Sequence, residues 1–325
     1  MIELDARLIL TVLVAVWILI ALSVLLLGAV HGVRALRRRR RDRLDAQARP
    51  LVVRFTLVED DDRAPAAALR TASGAFGDRV DDRLLSMLGT VRGEARQRIV
   101  EMLVERGHPA LLRRRARSRR TTTRAAAVRR LGQLGLPEDA ELLRRAVGDR
   151  APIVRTTAVR AASAYPSSAA VAAVLDVLRG AGEVPSLVVV TSLIGQGSAS
   201  ADALEAIRAG LHDPSATVRA ACAQALGELT SVADADRLAL LLRRDTSPGV
   251  QLAAASALLR VGRASSVPAL LEGTRSPWGP VRTRCVQALL ALPQELTAEA
   301  LGEVSRRGDA LLAPLLASSA PTRRS

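Results

Sequence analysis

The stretch Ala216-Thr-Val-Arg-Ala-Ala-Cys-Ala-Gln-Ala-Leu-Gly-Glu-Leu229 decides how this chain folds. Asp213-Pro214 stands just before it and Gly227 near its end, the punctuation that opens and closes short helices. Val218, Cys222 and Leu226 lie four residues apart, so they share one helical face. The stretch predicts a short amphipathic helix. Its pattern, D-P-x-x-x-V-R-x-x-x-x-x-A-L-G, returns along most of the sequence.

Working outward from Arg219, the equivalent positions are Arg92, Arg124, Arg155, Leu187, Gln251 and Arg282. Every interval is 31 or 32 residues. A steady period of that length marks stacked supersecondary units. The register repeats on three further positions. The residue before the anchor is Val91, Val154, Val218, Val250 or Val281, with Thr123 and Ser186 in the other two units. Three residues after it come Ala95, Ala127, Ala158, Val190, Cys222, Ala254 and Cys285, and seven after it Ile99, Leu131, Ala162, Ile194, Leu226, Leu258 and Leu289. Each unit is therefore one amphipathic helix preceded by a partner such as Ala201 to Leu211. The two are joined by a turn holding Asp and Pro.

Asp149, Asp213 and Asp245 sit six residues before their anchors, and Ser118 and Ser276 take that place in two other units. The turn Asp, the Val-Arg and the Ala-Leu-Gly ending resemble HEAT repeats, in the short bacterial subtype named for phycobilisome lyases. The resemblance covers residues 81–317 and implies an all-α, armadillo-like superhelix of about seven repeats, a HEAT-type solenoid. It also implies that Asp149, Asp213, Asp245, Arg155, Arg219 and Arg282 form a structural ladder between neighbouring repeats. That ladder is degenerate here, because Leu187 and Gln251 replace Arg and Ala181 replaces Asp.

Composition agrees with many small helix contacts. The 325 residues are 49% hydrophobic but only 2% aromatic, and all 47 basic residues are Arg. The net charge of +15 resides in two windows, His31 to Pro50 at +6 and His108 to Pro137 at +9. The rest is neutral in aggregate, so the overall charge is a weak argument for nucleic-acid binding and two local basic patches need explaining instead.

Upstream, residues 1–7 precede an uncharged run of 23 residues, Leu8 to Val30. At about 1.5 Å per residue it spans roughly 35 Å, enough to cross a bilayer as a helix. The acidic N-terminus and the length of the run favour a retained anchor over a cleaved signal peptide. Residues 31–50 follow as a basic juxtamembrane segment. Its Arg34, Arg37, Arg38, Arg39, Arg40, Arg41 and Arg43 predict that this side faces the cytoplasm, with the N-terminus outside. Contact with anionic lipid head groups would add about 1 kcal/mol per Arg. Residues 51–80 read as a linker or an irregular first helix pair. Within them Leu51 to Val58 has strand-like or short buried character, and Glu59 to Asp62 is an acidic run. Gly308 to Ala317 predicts a capping helix, and residues 318–325 a disordered tail.

Chemistry-bearing residues are sparse. His31, His108 and His212 lack metal-ligand spacing, and the latter two fall at helix ends, where a solvated or capping histidine is expected. Cys222 and Cys285 occupy the same repeat position two units apart, too far for a disulfide, and read as core thiols. The residues suggest no catalytic, cofactor or metal site. The His-Glu pairs of HEAT-like iron hydroxylases are absent, and lyase activity is implied by the repeat subtype alone. The one unusual surface is an anion or partner patch of Arg113, Arg114, Arg115, Arg117, Arg119, Arg120, Arg124, Arg129 and Arg130, with Thr121 to Thr123 beginning the next helix. The expectation is a membrane-anchored, non-catalytic adaptor for a protein partner, by analogy a membrane or envelope-synthesis protein. One alternative is a binder of anionic ligands or nucleic acid through the patch, although aromatic platforms for nucleic acid are lacking. The other is a HEAT-like lyase or DNA glycosylase.

Overall fold

The computed structural model describes residues 6–57, 63–180 and 184–318, and every regular element among them is helical. The acidic run Glu59 to Asp62, Ala181 and the tail from residue 319 lie outside this set, as do the side chains of Arg34 and of Arg37 to Arg41. The chain divides into two compact units, Met1–Pro109 and Ala110–Ser325.

In the first unit α1 (Ala6–Leu57) is followed by α2 (Arg63–Thr71), α3 (Gly74–Met87) and α4 (Gly93–Glu105). Leu51 to Leu57 belongs to α1, so its strand-like character is not realised. Ala48, Val52 and Thr56 recur at a spacing of four and are all buried. Helical periodicity continuous with the preceding turns outweighs the β-propensity of Val and Thr. The Leu8 to Val30 run also lies in α1. Among the described residues, however, no helix is long and apolar enough to cross a membrane. Several side chains of that run are outside the described set.

Arg106 knits this unit together. Its guanidinium donates to Asp81 and to the carbonyls of Leu69 and Ala72, closing the C-terminal end of α2. His108 is buried, with Nδ1 3.5 Å from Asp81. The expected solvated role fits only His212, which is exposed at the end of a short 3-10 turn.

The second unit is a stack of helical pairs. The inner members are α6 (Thr121–Leu134), α8 (Pro152–Ala161), α10 (Ser186–Ala199), α12 (Ala216–Glu228), α14 (Pro248–Val261) and α16 (Gly279–Leu290). Each packs on the next. Their partners are α5 (His108–Ala116), α7 (Ala140–Val147), α9 (Ser168–Arg179), α11 (Ala201–Ala209), α13 (Ala235–Arg244), α15 (Val267–Gly273) and α17 (Gln294–Arg306). Last comes α18 (Ala313–Ser318); Leu312 just before it and Leu315 and Leu316 within it close the apolar end around Val286 and Val304.

Arg124, Arg155, Arg219, Gln251 and Arg282 are each the fourth residue of an inner helix. Val218, Cys222 and Leu226 are fully buried, and so are their counterparts in α14 and α16 to within 1%. The first unit breaks register. Gly93 opens α4 with φ of +64°, so helix begins only after Arg92, which is left as an exposed cap.

Glycine sets the helix spacing. A β-carbon on Gly132 would lie 2.5 Å from Ala161 Cβ, and one on Gly227 2.6 Å from Ala257 Cα. The glycine of the Ala-Leu-Gly ending is thus what lets inner helices touch backbone to backbone. A second pairing involves the thiols. A β-carbon on Gly273 would lie 2.6 Å from Cys285 Sγ, and one on Gly210 would overlap Cys222 Sγ. The sulfur fills the space that the glycine leaves. Gly210→Ala should therefore cost about 1–3 kcal/mol by overpacking. Adding Cys222→Ala should restore most of that loss, as measured by urea unfolding of both single variants and the double variant. Equal effects in the two backgrounds would disprove the pairing.

Candidate interaction surface

The turn between the helices of each pair is held by a repeated set of bonds. Arg219 Nη1 donates to the carbonyls of Asp213 and Pro214 in its own turn, at 2.8 and 2.9 Å. Its Nε and Nη2 reach Asp245 in the next turn at 2.6 and 3.0 Å. Asp245 Oδ1 also accepts from Ser247 N–H, an Asx turn that fixes the carboxylate. Arg124 repeats the set with Ser118, Arg119 and Asp149, and Arg282 with Ser276, Pro277 and Asp309. Each rung therefore satisfies two backbone carbonyls and one carboxylate with a single planar fork.

Three rungs depart from this set. Arg155 keeps its own-turn bonds to Asp149 and Arg150, but position 181 offers no carboxylate. Gln251 donates to the Asp245 carbonyl at 2.8 Å and accepts from Ser276 Oγ at 2.9 Å, making a neutral rung. Where Leu187 replaces Arg, Asp213 is instead held by Arg179, from the end of α9. A further set lies at the partner helices. Arg113 Nε donates to Asp139 at 2.6 Å and Arg208 Nε to Asp234 at 2.8 Å, and both carboxylates are fully buried. The sequence signal for these pairs is an Arg followed by Asp 26 residues on.

The Arg patch divides accordingly. Arg113 and Arg124 are committed to Asp139 and Asp149, and Arg130 is half-buried. Arg114, Arg115, Arg117, Arg119, Arg120 and Arg129 are exposed, without a carboxylate at ion-pair distance among the described residues. Of the juxtamembrane arginines, Arg43 is exposed.

A family model for HEAT repeats matches residues 80–163, 108–187 and 183–258, more than half of the chain. The chain belongs to the HEAT-repeat family. No curated protein matches it in sequence. Among solved structures, human deoxyhypusine hydroxylase in complex with glycerol is 20% identical, over 67% of this chain and 99% of that one, with a TM-score of 0.31. The CpcE–CpcF complex of phycocyanin lyase from Nostoc sp. PCC7120 is 16% identical, over 77% and 96%, with a TM-score of 0.31. Kap95p in its complex with RanGDP is 15% identical, over 83% of this chain and 42% of that one, with a TM-score of 0.44. At these identities the likeness concerns the fold alone.

The HEAT ladder makes stability depend on pH. Arg179 and the Ser215 N–H hold the Asp213 carboxyl below its ordinary range against the effect of burial. At Asp149 and Asp245 burial pushes upward, but Arg124 with the Ala151 N–H, and Arg219 with the Ser247 N–H, prevail and the net shift is down. A depressed native pKa gives stability that is full above the unfolded value, about 3.9, and is lost as pH falls through the native value. The urea midpoint should hold at neutral pH and fall steadily below about pH 4. A flat midpoint down to about pH 3 would contradict the ladder's ionic character.

Burial pushes both HEAT-core thiols up to about 12, so neither is a reactive thiolate at neutral pH. Between α5 and α7 a cleft of about 450 Å³ is lined by Arg113, Arg117, Glu138, Asp139, Glu141 and Arg145 over Val128 and Val154. Among the described residues there is no group of three or more His, Cys, Asp or Glu placed to hold a metal ion.

Proposed function

We propose that the chain is a membrane-anchored, non-catalytic adaptor presenting its HEAT solenoid in the cytoplasm to a protein partner. The observation that carries the anchor is apolar exposure on α1. Leu13, Trp17, Leu22 and Leu25 are 54–72% exposed, with no described protein surface over them. Contiguous apolar area of this kind is unfavourable in water and marks a membrane or partner site. The sequence then turns sharply basic, which orients the segment with the repeats inside. The adaptor half rests on the stack itself. Repeats that contact only their neighbours leave a long outer surface for recognition, and the buried Arg and Asp side chains are used in holding the turns.

A second reading, binding of anionic ligands, is favoured by the five exposed arginines Arg114, Arg115, Arg117, Arg119 and Arg120 around the turn between α5 and α6, with Arg129 further along α6. Protease treatment of sealed membranes separates the parts of the first reading. A C-terminal tag should be protected in right-side-out vesicles and cleaved in inverted ones, and the protein should resist carbonate extraction. Cleavage from the outside, or release by carbonate, would overturn the anchor. Crosslinking in membranes should then recover one partner in stoichiometric yield, and its capture should fail without residues 110–325.

A further inference from the structure

Three consecutive inter-helix turns share a departure from the repeat rule. In the second repeat Arg119 and Arg120 are exposed just ahead of α6. In the third, Arg150 is exposed and Ile153 is 55% exposed. In the fourth, Leu187 is 74% exposed; sequence spacing aligns it with the bonded Arg of the neighbouring repeats, but it is the second residue of α10 where they are the fourth of their helices. Arg119 and Arg150 each stand two residues before their helix, and Ile153 and Leu187 are each the second residue of theirs, so these residues follow the same end of the stacked pairs at roughly 10 Å intervals. The described carboxylate of these turns, Asp149, has its oxygens taken by Arg124 and the Ala151 N–H. Glu183 lies outside the described residues. Further along the same edge, Pro214, Thr246 and Pro277 stand where Arg119 and Arg150 do.

Leu187 is the informative residue. Its side chain fills no core, and the rung it would have served is held by Arg179. The ladder is thereby kept while an apolar tip is freed on the surface. Two single apolar tips at helix starts, on an edge that also carries exposed arginines, do not form a groove for a rigid partner. They suit a fluid interface that accepts apolar side chains and presents phosphate, which pairs with the planar guanidinium fork.

We propose that this edge of turns, Arg119, Arg120, Arg150, Ile153 and Leu187, docks on an anionic bilayer. The guanidinium groups meet lipid phosphates and the two tips enter the interface. The proposal rests on and deepens the anchored-adaptor reading, because a tether raises the local concentration of bilayer around the solenoid.

The test uses the full chain in nanodiscs of brominated phosphatidylcholine, with and without phosphatidylglycerol. Leu187→Trp is placed in a Trp17→Phe, Trp278→Phe background, so that its indole is the sole fluorophore of its kind. Its emission should be quenched in anionic discs and unquenched in neutral ones. Arg119→Ser or Arg120→Ser should weaken the docked state by about fivefold each. Equal emission in both discs, or quenching indifferent to the Arg substitutions, overturns the proposal. A signal that responds to an acidic protein and to neither lipid also overturns it, in favour of protein docking. Trp17 in a Trp278→Phe chain reads the anchor separately. Quenching there, with none at position 187, removes the docking and leaves the anchor standing. No quenching at Trp17 removes the anchor whatever position 187 does.

Discussion

Arg219→Ala should cost about 3 kcal/mol, because it breaks a largely buried ion pair and strands its partner. The Asp245 side chain is 5% exposed and would keep its charge with only the Ser247 N–H to balance it. The carbonyls of Asp213 and Pro214 would lose their donor as well. Lys should not rescue the site, since an ammonium cannot span two carbonyls and both carboxylate oxygens at once. Arg219→Ala with Asp245→Ala should be less harmful than the sum of the singles, the sign of direct coupling. Arg120→Ala, on an exposed turn, should shift stability by less than about 0.5 kcal/mol. Urea unfolding of these variants gives the comparison. Similar losses at Arg219 and Arg120 would show that the ladder contributes nothing specific. Because repeats can unfold in parts, hydrogen exchange across α12 and α14 should localise the change.

Gly227→Ala should be comparably damaging for a different reason. The added methyl would stand 2.6 Å from both Cα and Cβ of Ala257, and Cα is backbone that cannot rotate away. The helices must part, and overpacking of that kind costs about 1–3 kcal/mol, with the upper end expected where backbone is the obstacle. Gly249→Ala is the control. Its new methyl would meet nothing nearer than Ser247 Oγ at 3.8 Å, so helix propensity should make it neutral or stabilising by up to about 1 kcal/mol. Ala257→Gly placed in the Gly227→Ala chain should recover part of the loss. If Gly227→Ala and Gly249→Ala have the same unfolding midpoint, the close approach is not a determinant of the stack.

These two sites also show what a linear sequence conveys. The period, the apolar positions around Arg219 and the turn aspartates were legible because each recurs at a fixed offset. A recurring offset survives any one substitution. Arg179 was not legible, since it serves Asp213 from another helix and replaces a residue that is missing. Arg113 and Arg124 looked like neighbours of Arg114 and Arg120 in one patch. Charge counting could not tell that Asp139 and Asp149, some 25 residues away, had claimed them. The early unit failed for a local reason. Gly93 in the left-handed region delays α4, and the spacing from Arg92 then tracks sequence without tracking helix. Leu51 to Val58 reads as strand-like or short buried because Val52, Val53 and Thr56 are β-branched, whereas the buried face that Val52 and Thr56 share with Ala48 is set by the turn before it.

The Gly–Cys pairing has a practical corollary. The chain holds two cysteines, both free and fully buried, each against a glycine of its own repeat. A thiol reagent can reach either sulfur only when that repeat opens. Mass-resolved labelling of the unaltered protein would therefore time the breathing of the fifth and seventh repeats separately. The chain carries two clocks of its own, and any partner or lipid that steadies one repeat more than the other should slow one clock and leave the other running.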